Sequence, residues 1–288
     1  MTALPDRRIN AYRPDLAEEA LRGTVDAARY VSGTPATVSE PVVPLRPRPD
    51  EAAGIDTQVL FGESVTVLDR ADGWAWVKSA FDGYVGYVRE TALASGTGAP
   101  THVVAVPRTF AYTGADLRTP AAFALSIGSR LTVVGESETR GTRYLTLECG
   151  RSVVAGHCLP AGAPASEDYV SVATRFIETP YLWGGRSGFG IDCSALVQLS
   201  MMMTGRTVPR DSDMQAAGLG EAFEPGPDFS GVRRGDLVFW KGHVAIMEDG
   251  ATIVHANGHT MSVARESLDA AIARIGWLYE QPTGYRRP

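Results

Sequence analysis

The chain has little cysteine, only three residues in 288, at positions 149, 158 and 193. That is too sparse for a disulfide-stapled scaffold, and it leaves at least one thiol unpaired. Positive charge is not in excess either: 27 Lys and Arg stand against 33 Asp and Glu, a formal net charge of −6. No broad basic surface is available for nucleic acid or for an anionic membrane, so neither is expected as a partner. No apolar run is long enough to span a bilayer, and the opening Met-Thr-Ala-Leu-Pro-Asp-Arg-Arg has no leader-like stretch. Together these absences predict a soluble protein in a reducing, cytoplasmic setting. What remains is a globular composition, 44% hydrophobic and 21% charged, in a chain long enough for two or three domains.

One stretch organises the rest. Residues Pro180 to Gln198 read as a loop with glycines at 184, 185, 188 and 190, running into a helix that begins near Asp192-Cys193-Ser194. Asp192 and Ser194 are helix-starting residue types, and Ala195 to Met203 continue without a breaker as far as Gly205. A thiol in the first turn meets free backbone N–H groups and the positive end of the helix dipole, which favours the nucleophilic thiolate. Glycines just upstream allow close approach of a substrate to the backbone. A buried structural cysteine is the commoner fate of a lone Cys in an apolar helix. A core helix, however, has no need of so many glycines and two aromatics before it.

A nucleophile needs a base. Asp236 to Trp240 and His243 to Met247 read as two short strands broken by Lys241-Gly242, and Ile253 to Gly258 reads as the next strand and its turn. Side chains alternate along a strand, so His243 shares a face with Ala245 and Met247, and His255 with Ile253. On antiparallel neighbours the two imidazoles can lie side by side, the second orienting the first. The set is then Cys nucleophile, His base and polar orienter.

Pro180-Tyr181-Leu182-Trp183-Gly184-Gly185, Asp192-Cys193-Ser194, Gly235 to Trp240, Gly242 to Ile246 and His255-Ala256 together resemble the NlpC/P60 family of papain-like cysteine peptidases, over roughly residues 165–280. The resemblance implies an α+β fold with a Cys-bearing helix packed on an antiparallel sheet, and no cofactor. It implies hydrolysis of bacterial cell-wall peptides, usually between D-glutamate and the diamino acid. By motif position Cys193 is the nucleophile, His243 the base and His255 the orienter, with Tyr181 beside the oxyanion site. Arg210-Asp211-Ser212 matches a substrate-binding segment of dipeptide-releasing members. Trp183 and Ser194, within the motif, join the substrate-contact candidates. Asp192 either meets the substrate amine or caps the helix. Arg210 either pairs with the free α-carboxylate of a γ-linked D-glutamate or is a solvated loop arginine.

Ahead of this region, residues 1–35 read as an arm ending in a short helix over Asp15–Arg22. Two copies of a short-strand pattern follow. Phe61–Leu68 matches Ile127–Val134, and Val85–Val88 matches Ala155–Cys158. They suit two small β-barrels, residues 36–97 and 98–162, before a peptidase domain at 163–288. Both resemble bacterial SH3-like domains, the second in degenerate form. Such barrels either tether an enzyme to the wall or close one end of the cleft. In members of the second kind barrel residues read a free amino terminus, and L-Ala-γ-D-Glu is released from recycled muropeptides. Glu40 and Trp76 are candidates for that ammonium, an acid and an aromatic being suited to it, with Asp211 beside them. Each has an ordinary alternative as an edge acid or a core tryptophan. A thiol amidase or acyltransferase is the runner-up activity. Cys149, His157 and Cys158 supply only three candidate metal ligands at a spacing that fits no common zinc pattern, and read as packing.

Overall fold

The computed structural model describes residues 4–96 and 98–288, and divides into a unit ending at Ala161 and a unit beginning at Gly162. The first unit contains two small antiparallel β-barrels. In one, the strands Val85–Arg89, Trp74–Ser79, Ser64–Ala71, Thr34–Val38 and Leu93–Ser95 form a sheet in that order, beside the hairpin Val42–Leu45/Thr57–Leu60. Their alternating residues Ala36, Val38, Val43, Leu45, Val65, Val67, Ala75 and Val77 fill its core. The other is built on the order Ala121–Ser126, Arg108–Tyr112, Ser152–Val154, Thr142–Leu147, Val133–Thr139, with Val104, Leu125, Leu131, Leu147 and Val153 inside. The Arg130 N–H donates to the Phe61 carbonyl at 2.8 Å, tying the barrels together.

Two expectations need correction here. The N-terminal stretch is helical only over the 3-10 turn Glu19–Leu21. Between Pro14 and Gly23 there is too little chain to repay helix nucleation. The segment packs on the barrel instead: Ala11 and Leu16 share a cluster with Trp76 and Leu68, and Glu18 meets Lys78 at 2.7 Å. The pairing of Val85–Val88 with Ala155–Cys158 also slips. Val85–Arg89 is a strand followed by a 3-10 turn at Glu90–Ala92, whereas Ala155–His157 is itself the 3-10 turn, after the strand Ser152–Val154. The matching glycines mislead because they sit at different steps of the two barrels.

In the second unit the helices α1 (Tyr169–Ala173), α2 (Cys193–Met202) and α3 (Ser212–Gly218) precede a six-stranded antiparallel sheet. Its strands are β1 (Glu221–Ala222), β2 (Leu237–Trp240), β3 (His243–Met247), β4 (Thr252–Asn257), β5 (Ser262–Ser267) and, after helix α4 (Leu268–Leu278), β6 (Gly284–Arg287). The spatial order is β1-β6-β2-β3-β4-β5. Ala245, Met247 and Ile253 face Leu268, Ala271 and Ile275 of α4, and α2 packs against β3 and β4. Strict alternation puts His243 and His255 on the α4 side. No helix among the described residues is long and apolar enough to cross a membrane.

Candidate active site

Helix α2 starts at Cys193 because Asp192 caps it, its Oδ1 accepting the Ala195 N–H at 2.8 Å. The other oxygen of Asp192 accepts the Gly184 N–H at 3.1 Å, fastening the preceding loop to the same carboxylate. Beneath it lies Arg210, 1% exposed, whose Nη1 and Nη2 donate to the two Asp192 oxygens at 3.0 and 2.6 Å. Nη1 also donates to Ser194 Oγ at 2.9 Å. The loop glycines are equally inward. A Cβ on Gly185 would lie 2.6 Å from the Gly190 carbonyl oxygen, so backbone meets backbone there and not a substrate.

How the thiol meets a histidine on the other face follows from the sheet. The β3–β4 ladder pairs only Ile246 with Val254 and Met247 with Ile253, and it stops before His243. In the β3 backbone the Gly242 carbonyl and Val244 N–H point to the same side, toward β4. Cys193 fills that place: its Sγ lies 4.0 Å from the Gly242 oxygen and accepts the Val244 N–H. The sulfur therefore stands where a ladder partner of His243 would otherwise be. His243 Nε2 lies 3.0 Å from His255 Nδ1, and His255 Nε2 lies 3.3 Å from Glu266 Oε2. Arg274 clasps the same carboxylate with Nε at 3.0 Å and Nη2 at 2.6 Å. A pocket of about 530 Å³ opens beside the imidazole, lined by Tyr181, Trp183, Trp240, His243 and Asn257 among others.

Burial dominates the electrostatics. It pushes the Cys193 thiol up to about 12, reinforced by the Asp192 carboxylate and opposed by the Val244 and Ser194 N–H groups and Arg210. It pushes the His243 imidazole down to about 3. Burial thus favours a neutral thiol and a neutral imidazole, against the helix-end N–H groups that favour a thiolate. Burial, then the neighbouring cysteine, raises the Tyr181 phenol, so it keeps its proton and can donate.

Several substrate-contact candidates are buried, Asp192 as a helix cap and Trp76 as a core tryptophan, one of the two readings open for each. Asp192 and Ser194 are buried in the Arg210 network, and Arg210 is neither solvated nor turned toward a carboxylate outside. Trp76 is 4% exposed, stacked with Tyr87 and covered by the Arg13 guanidinium at 4.4 Å. It belongs to the core. Glu40 is exposed between two barrel strands, and Asp211 and Ser212 are half-buried at the start of α3. Trp183 is 72% exposed on the pocket rim. Glu266 and Arg274 were not anticipated, since an acid and an arginine in charged stretches carry no spacing signal.

A helix-borne cysteine set against a strand histidine in an antiparallel sheet defines a papain-like cysteine peptidase fold. The model of the NlpC/P60 family matches residues 178–275, and that of a bacterial dipeptidyl-peptidase SH3 domain matches residues 45–93. It is 28% identical over 231 residues to a gamma-D-glutamyl-L-lysine dipeptidyl-peptidase of Bacillus cereus, covering 70% of this chain and 67% of that one. It is 28% identical over 264 residues to dipeptidyl-peptidase 6 of Lysinibacillus sphaericus, covering 80% and 94%. The crystal structure of an NlpC/P60 family protein from Bacillus cereus superposes with a TM-score of 0.73 at 23% identity, covering 88% of this chain and 99% of that one.

Two outcomes follow from the burial. Arg210→Met keeps the stem but leaves Asp192 unpaired, and should lower stability by about 3–5 kcal/mol in urea unfolding, against less than about 0.5 for a solvated arginine. Below pH 6.5 the unfolded His243 imidazole gains a proton that the folded ring resists until about 3. The unfolded state binds more protons in that window, so stability falls as pH falls. Between pH 7 and 5 the native protein should lose up to about 2 kcal/mol more than His243→Gln. Parallel losses would mean that burial does not hold the ring neutral.

Proposed function

We propose that the chain is a cysteine peptidase that cleaves the γ-D-glutamyl–diamino acid bond of murein peptides with a free amino terminus. It releases L-Ala-γ-D-Glu in cytoplasmic recycling of cell-wall peptides. The observation that carries the reading is the seat of Cys193, in the ladder place opposite His243, with His255 bonded behind that ring. Support for the substrate comes from the dipeptidyl-peptidase relatives and from the matched SH3 domain.

In this reading His243, with Nε2 engaged by His255, takes the Cys193 proton on Nδ1 as the sulfur attacks the γ-glutamyl carbonyl. The Cys193 backbone N–H and the Tyr181 hydroxyl receive the oxyanion. The imidazolium then gives its proton to the departing amine of the diamino acid, leaving a thioester. Water, deprotonated by the same ring, releases the dipeptide and restores the thiol. Proton transfer coupled to attack suits a pair that rests neutral. Trp183 at the pocket rim, Asp211, Ser212 and Glu40 remain the proposed peptide contacts, while Asp192, Ser194 and Arg210 hold the nucleophile in place.

Mass spectrometry of products from L-Ala-γ-D-Glu-diaminopimelate and its N-acetylated form tests this. The free tripeptide should yield L-Ala-γ-D-Glu, the acetylated one at least tenfold more slowly, and Cys193→Ala should yield none. Equal cleavage of both peptides would remove the free-amine requirement and favour a wall endopeptidase. Undiminished turnover by Cys193→Ala would overturn the mechanism.

A further inference from the structure

Glu266 and Arg274 lie outside every motif that marks the nucleophile and its histidines, yet they complete a continuous polar chain behind them. Glu266 is brought there by the β4–β5 register, which sets it opposite Ile253, on the same face as His255. Arg274 comes from α4, the helix packed over that face, and grips Glu266 through Nε and Nη2. His255 is 1% exposed, and its Nε2 is a buried atom with no well-formed hydrogen bond; the Glu266 carboxylate, 3.3 Å away, is the acceptor it faces. A buried ring nitrogen needs a partner, and a carboxylate can only accept.

From this arrangement we infer that Glu266, held by Arg274, is a positioning residue that fixes the protons of both histidines. With its carboxylate beside Nε2, His255 carries its proton on Nε2 and leaves Nδ1 bare. The bare Nδ1 must accept from His243 Nε2, 3.0 Å away, so His243 carries its proton on Nε2 and presents an unprotonated Nδ1. The opposite arrangement, with His255 donating from Nδ1, would put the His243 proton on Nδ1 and leave nothing to receive the thiol proton. Because Arg274 neutralises Glu266, the pair adds little net charge. Its effect is on which nitrogen holds each proton, as a third group does behind a catalytic histidine elsewhere. The account rests on the peptidase reading for its effect on rate, but not for its effect on the rings.

Long-range 1H–15N NMR of the full chain, with Cys193→Ala, His243→Gln and His255→Gln to assign the rings, reads the tautomers directly and needs no substrate. Both histidines should be in the Nε2–H form near pH 7.5 in the native protein. Glu266→Ala should populate the Nδ1–H form of His255 and lower kcat on the tripeptide about tenfold or more, with KM within about twofold. Glu266→Gln, which keeps an acceptor oxygen and nearly the same shape, should restore most of both. If Glu266→Ala fails to fold, the native spectrum and Glu266→Gln decide the matter. An Nδ1–H form of His255 in the native protein, or unchanged tautomers and kcat in Glu266→Ala, would overturn the inference. Normal tautomers with no tripeptide cleavage would count against the peptidase reading alone.

Discussion

The site depends on a sulfur that is buried before any substrate arrives. Cys193 is 6% exposed, wedged where β3 and β4 part, and it can be there only because its helix begins at one particular point. The Asp192 carboxylate sets that point. It caps α2, fastens Gly184 and is gripped by Arg210 from below, so one buried ion pair joins the glycine loop, the helix start and the segment before α3. A buried pair of this kind is weak evidence for added stability, because desolvation offsets much of its attraction. Its consequence here is positional.

Burial also decides the electrostatics. A helix N-terminus and two N–H groups favour a thiolate, but enclosure of the sulfur beside Asp192 outweighs them, and the same enclosure discourages protonation of His243. Burial that favours the protonated thiol also works against stray alkylation and oxidation, which need the thiolate. It also makes proton transfer a part of the attack, so the proton inventory of the histidines matters more than a standing charge would.

Much of this was legible in the sequence, and the reasons differ by residue. Cys193, His243 and His255 stand out because their surroundings carry local rules: a capping aspartate before an apolar run, and period-two alternation across a two-residue turn. The strand ends agree within a residue or two, β2 starting at Leu237 and β4 at Thr252. Direction was not legible. Nothing in Pro209-Arg210-Asp211 says that the guanidinium turns inward, and the loop glycines suit close backbone packing as well as they suit substrate approach. Trp76 shows the same ambiguity resolved by its neighbours, with Arg13 on one face and the core around it. Glu266 and Arg274 could not be found from spacing, since their partnership with His255 is made by sheet register and helix docking.

The account turns on the resting state of one thiol, and ultraviolet absorbance of the thiolate near 240 nm, taken as the difference between native protein and Cys193→Ser across pH, measures it directly. The prediction is no thiolate belonging to Cys193 at pH 7, with ionisation emerging only in the strongly alkaline range. A Cys193 thiolate that is already complete at pH 7 and titrates in acid would contradict it.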